Sequence, residues 1–424
     1  MKRTAQRLLI GLLVCSQGIS CLQAFDAVRT FAGRKLTTGT ADGPLSLALF
    51  NDPSGLAIAP DGTLFVADNM NHTIRKVTTN GMVSTIAGRT GISGSTDGVG
   101  TNALFFNPYG LALDPAGNLL VADSGNSTIR MIGPDGVVKT IAGVAGQNDA
   151  TNGPAMLARF DTPLGIAVAP GGTIYVADTR NHTIRTITPG GVVATLAGSA
   201  GIWGAADGTG PTARFNGPVG LALDAGGNVF VSDSNNHTIR KVTPAGEVTT
   251  FAGRAGTDGN TDGIGASSRF YKPGEIKFDR DYNLFVVDSF NHAIRKVTTD
   301  GVVSTIAGLA GSSGMIDGLD SQARFFNPYG LAVDRSGNLR VSDTYNQTLR
   351  LIYVPVTTTL TPVPNGFAIS WSAVPGNNYQ VQVQDSAGGE WHYLSSILAA
   401  NIHATVTDNS IRAGQRYYRV LSLP

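Results

Sequence analysis

The sequence predicts an all-β fold: a six-bladed β-propeller of four-stranded blades, followed by a small β-sandwich. Three observations predict it. The first is a period. Asp68, Asp123, Asp178, Asp233, Asp288 and Asp343 follow one another at steps of 55 residues, and Arg75, Arg130, Arg185, Arg240, Arg295 and Arg350 keep the same step. Self-similarity at such a period marks a repeat architecture in which neighbours bury each other's faces. The second is composition. Gly reaches 54, charged residues are only 14%, and the acids are almost all Asp, with Glu only at 247, 275 and 390. Asp and Gly serve tight turns, so many short strands are implied and few helices. The third is a gap. The sixth copy ends near Tyr353 without its last strand, and Val28 to Gly33 at the other end of the array supplies one in register.

Each copy reads as four strands. In the second, strand a spans Gly110 to Leu113, strand b Asn118 to Ala122, strand c Thr128 to Ile132 and strand d Val137 to Ala142. The a–b turn Asp114-Pro-Ala-Gly117 and the c–d turn Gly133-Pro-Asp-Gly136 carry Pro and Gly where turn geometry wants them. Strands such as LFVAD and TIYVAD are almost wholly apolar, as sheets covered on both faces require. Val28 to Gly33 is expected to complete the last blade, closing the ring and removing a sheet edge.

Residues 1–24 read as a secretory signal: Lys2, Arg3 and Arg7 precede an apolar run, Leu8 to Val14, too short to span a bilayer. No later stretch reaches membrane-spanning length. Both cysteines, Cys15 and Cys21, lie in this segment, and Gly18-Ile19-Ser20-Cys21 loosely matches a lipidation pattern. A secreted, periplasmic or cell-surface protein is expected, with lipid attachment at Cys21 as the lesser alternative. A net charge of +1 and the lack of basic runs disfavour nucleic acid. A monomer is expected.

The stretch GLALDPAGNLLVADSGNSTIRMI and its copies over residues 28 to 353 resemble NHL repeats. The resemblance implies a six-bladed propeller spanning residues 25–355. It leaves function open, because that family includes RNA-binding modules, adhesion modules and related lyases. The remainder, residues 356–424, has short alternating strands in ISWSAVPGNNYQVQVQ and YYRV and resembles a compact fibronectin type III module of bacterial secreted proteins.

In a four-stranded meander the a–b and c–d turns share one end of the ring. The b–c loops and the long d–a links share the other, where binding is expected. The Asp and Arg that recur six times, from Asp68 and Arg75 to Asp343 and Arg350, read as blade construction, since a reactive site is a single asymmetric place. His72, His182, His237 and His292 read the same way, because Ser127 and Gln347 replace them in two blades. Asp97, Asp207, Asp262 and Asp317 read as turn residues. No cofactor is expected; calcium, which needs six to eight converging oxygens, is the metal these loop carboxylates leave open.

Departures from the repeat are the candidate ligand contacts. Glu275 and Lys277 replace the Gly and Ala of strand a and are expected beside the central channel, and Trp203 stands in a d–a link. The residues favour a non-enzymatic module that binds a protein or glycan. The alternative is a metal-dependent hydrolase or lyase in the channel, in analogy with propeller lactonases, esterases and lyases. No nucleophile and base stand together in the sequence.

Overall fold

A computed structural model of the chain describes residues 27–353 and, beyond them, 358–364, 366–373, 378–385, 392–401, 403–410 and 416–423. The expected export signal, residues 1–24 with Cys15 and Cys21, lies outside the described residues. Two compact units result: a propeller unit of Val28–Asp334 with Leu339–Ile352, and a second unit that includes the C-terminal strands.

The propeller is six antiparallel sheets in sequence order. In the second blade, strand a is Pro108–Leu113, b is Leu119–Asp123, c is Thr128–Ile132 and d is Val137–Ala142. A fifth strand of two residues, Gly98–Val99, pairs with strand d on its outer side. The sequence reading missed it, placing the d–a links wholly among the binding loops. Instead each link folds back along the outer edge of the next blade and covers backbone groups that strand d would otherwise leave unpaired.

The ring closes as the period requires. In the sixth blade the strand Ala27–Ala32 lies between Gly318–Leu319 and strand c, Thr348–Tyr353. The Thr30 hydroxyl donates to Asp317 at 2.9 Å, and the Arg340 guanidinium sits 4.9 Å from the centre of the Phe31 ring. The core lies between blades. One cluster joins Ala57, Ala67, Ile74 and Ala87 of the first blade to Phe105, Leu111, Val121 and Val138 of the second.

The C-terminal strands form two three-stranded antiparallel sheets. They pack around buried Ile369, Trp371, Tyr379, Val381 and Tyr418. Among the described residues no helix is long and apolar enough to cross a membrane.

Candidate functional site

The six-fold residues occupy fixed places inside each blade. Arg75 Nη1 donates to Asp68 Oδ2 at 2.6 Å, and its Nη2 donates to Asp42 at 2.7 Å and to the Ala41 carbonyl at 3.0 Å. The guanidinium lies 5.2 Å from the centre of the Phe50 ring. The inner pair repeats at 2.6–2.8 Å in Arg130–Asp123, Arg185–Asp178, Arg240–Asp233, Arg295–Asp288 and Arg350–Asp343, with every one of these side chains buried. Asp97, Asp207, Asp262 and Asp317 hold the outer Nη2 in four blades, and Asn152 does so in the third. The link is thereby tied to strand c. Burial pushes Asp68, Asp123, Asp178, Asp233 and Asp288 up to about 6. Arg and the other donors oppose that rise, so these carboxylates are ionised at neutral pH.

The histidines join consecutive blades. His72, His182, His237 and His292 sit in left-handed backbone at the end of each b–c turn. Their Nδ1 atoms accept from the backbone N–H of Asn107, Gly217, Lys272 and Asn327 in the following blade at 3.1–3.2 Å. Ser127 and Gln347 accept the matching bond in the other two blades. Burial holds the four imidazoles below their ordinary pKa, which keeps the accepting nitrogen unprotonated.

The channel is lined by strand a, and there the symmetry breaks. Gly55, Gly110, Gly165, Gly220 and Gly330 press against the next blade; a Cβ on Gly110 would stand 2.0 Å from the Leu164 carbonyl oxygen. Only the fifth blade departs, with Glu275 there and Lys277 two residues on. The structure brings these two together: Lys277 Nζ donates to Glu275 Oε1 at 2.6 Å. Glu275 is buried, whereas Lys277 reaches a cavity of about 360 Å³ lined by Leu111, Ala112, Ala167, Leu221, Phe278 and their counterparts. This cavity occupies the half of the channel nearer the a–b turns. Towards the b–c loops, the Tyr109 and Tyr329 rings meet edge-to-face at 5.0 Å. Burial raises both phenols above their ordinary range, Tyr109 the more strongly.

Trp203 stands apart from this pair. It is 67% exposed on the link into the fourth blade and does not line the channel cavity. The b–c end carries a second asymmetry that sequence reasoning passed over. Met70, Phe106, Phe290 and Tyr345 are exposed there by 39–48%. Tyr271 packs on Phe290 and Phe326 on Tyr345, each at 5.2 Å. These residues belong to blades five, six, one and two, which are consecutive around the closed ring. Blades three and four place Asp161, Arg180, Asn216 and Asn235 at the same positions. Aligning the copies column by column shows this crescent; a search for six-fold residues does not. Among the described residues no group of three or more His, Cys, Asp or Glu comes together as a metal site would need.

The NHL repeat family model matches residues 50–77, 160–187 and 215–242. The first, third and fourth blades match the NHL repeat. Human NHL repeat-containing protein 2 is 28% identical over 317 residues, covering 66% of this chain and 43% of that protein. The chain spans less than half the length of the curated relatives it matches first. Among solved structures, an auxiliary nutrient binding protein from Bacteroides thetaiotaomicron shares the fold with a TM-score of 0.61 at 16% identity, covering 80% of this chain and 79% of that one. A streptogramin B lyase gives a TM-score of 0.50 at 11% identity, covering 78% and 98%. Both likenesses concern the propeller's architecture alone.

Proposed function

We propose that the protein is an exported, monomeric, non-enzymatic binding module that presents the b–c end of its NHL propeller to a protein or glycan. The apolar crescent of Met70, Phe106, Phe290 and Tyr345 carries this reading. Its side chains stand on short turns held by the buried Asp–Arg pairs and the His contacts, so aromatic surface is offered on a rigid base at small entropic cost. Exposed apolar patches of this kind mark interaction sites. Trp203 extends the same end with a face on which a sugar ring can stack. Residues 1–24 serve as the export signal in this reading, with Cys21 lipidation as the lesser route to the cell surface. Residues 356–424 form a fibronectin type III-like appendage to the propeller of residues 25–355. The nutrient-binding description of a Bacteroides protein with this fold agrees with such a role.

Electrophoresis of the purified chain through gels containing individual polysaccharides, followed by calorimetry, tests the proposal. Retardation by one polymer that is lost in Phe290→Ser/Tyr345→Ser and is insensitive to EDTA supports it. The second reading, a metal-dependent hydrolase or lyase, is favoured by one observation: a buried carboxylate, Glu275, beside a cation in a ligand-sized channel cavity. EDTA-sensitive turnover of a lactone, ester or cyclic depsipeptide, abolished by Glu275→Gln and untouched by the loop variants, would establish that reading instead. Calcium held by the loop carboxylates would appear in the same experiments as a stoichiometric ion that EDTA removes with loss of partner binding.

A further inference from the structure

A cleft of about 320 Å³ opens between the fourth and fifth blades at the a–b turn end, away from the crescent. The fourth blade contributes Phe230, Lys241 and Phe251; the fifth contributes Phe278, Tyr282 and Val297. The rings form an edge-to-face chain. Phe230 meets Phe251 and Phe278 at 5.1 Å each, and Phe278 meets Tyr282 at 6.2 Å.

Two features do not follow from building a blade. Tyr282 occupies the left-handed turn position, φ 59°, that the other five blades give to Gly62, Gly117, Gly172, Gly227 and Gly337. A bulky aromatic there is strained, and strain kept at one copy of six points to a use. It is also 44% exposed, so burial does not offset the strain. The second feature is Lys241. Its ammonium lies 5.8 Å from the centre of the Phe230 ring, and it makes no ion pair among the described residues. The nearest lining carboxylate, Asp224, is already engaged by the Asn228 backbone and side chain at 2.8 and 2.7 Å.

We propose that this cleft is a second ligand site, which takes a single aromatic ring bearing a carboxylate. The ring lies among Phe230, Phe251, Phe278 and Tyr282, and the carboxylate meets Lys241 Nζ. The volume is at the lower end of small-molecule sites, about 300–1,000 Å³. Lys241 already fills the cationic place over the rings, which works against an ammonium ligand. A hydroxyl-rich ligand finds few free partners, since the Thr298 hydroxyl already accepts from the Val302 N–H.

Ligand-observed NMR titration of the full chain with phenylacetate tests this. Phenylacetate should bind saturably, ahead of benzyl alcohol and benzylammonium. Tyr282→Gly should weaken it roughly tenfold while leaving the melting temperature unchanged or higher. Lys241→Met should abolish the preference over benzyl alcohol. Phe278→Leu, which installs the residue that strand a of the second and fourth blades carries, should weaken binding without unfolding the chain. The proposal fails if phenylacetate shows no saturable binding in the millimolar range or if benzylammonium competes equally. It fails too if Tyr282→Gly binds like the parent or melts below it, the last marking Tyr282 as a structural residue.

Discussion

Asp233 and Asp178 make a matched pair of perturbations. Asp233 Oδ2 accepts from Arg240 Nη1 at 2.8 Å and from Asn236 Nδ2 at 2.7 Å, while Oδ1 accepts from the Asn216 N–H at 2.7 Å. In Asp233→Asn the amide oxygen can keep the backbone bond. Its NH₂ group then faces two donors, one of them a buried guanidinium. Breaking a buried ion pair from one side costs about 3–5 kcal/mol. Arg240 still keeps Asp207 at 2.7 Å, a carboxylate that is half exposed. Arg185 has no such reserve, because Asn152 stands in that place. Asp178→Asn therefore leaves a buried cation with no carboxylate at ion-pair distance among the described residues and should cost more than Asp233→Asn by about 0.2–1 kcal/mol, the worth of an exposed ion pair. Guanidinium chloride unfolding followed by far-ultraviolet circular dichroism measures both. A loss below about 1 kcal/mol for Asp233→Asn would refute the assigned role of the pair. Equal losses at the two sites would refute the role given to the outer carboxylate.

Three further outcomes follow from the same geometry. Lys277→Ala strands the buried Glu275 and should destabilise by about 3–5 kcal/mol, whereas Glu275→Gly/Lys277→Ala, which restores the residues of the other blades, should be neutral or stabilising; thermal melts that rank the double variant below the single one would contradict this. His182 has a lowered pKa in the fold, and the unfolded value is about 6.5. Its stabilising contribution is therefore complete above pH 6.5 and is lost as pH falls through the folded value. His182→Gln, which copies Gln347, should match the parent at pH 7.5 and lose less melting temperature at pH 5; parallel curves would reject the assignment. Deleting residues 27–32 should lower and broaden the melt by opening the sixth blade, and an unchanged transition would argue against closure.

The ring, its register and strands c and d of the second blade were readable to the residue because Asp, Arg, Gly and Pro hold fixed columns at every step. Glu275 and Lys277 were readable as departures from a Gly column and an Ala column, on adjacent same-side positions of a strand. Other features were not read, for physical reasons. The two-residue fifth strands, such as Gly98–Val99, have no side-chain period of their own. The Nδ1 contact of His72 reaches Asn107 in the next blade, a pairing set by blade stacking and not by local pattern. The cavities at the a–b turn end lie where tight turns give no loop to notice. Tyr282 does carry a sequence signal, a tyrosine in a column of five glycines, which shows only when the turns of all six copies are compared.

The closing strand has a consequence for the order of folding. The Thr30–Asp317 bond joins residues 287 apart in sequence. Five blades can stack as the chain lengthens, since each needs only its neighbours. Strand 27–32 must wait until strand 348–353 exists. Until then two unpaired edges coexist in one molecule, each the complement of the other. At high concentration the edge of a second copy is an equivalent partner, and head-to-tail exchange of this strand would link open rings into chains instead of closing one. The last hydrogen-bonded seam to form is thus also the point at which a monomer and a polymer diverge.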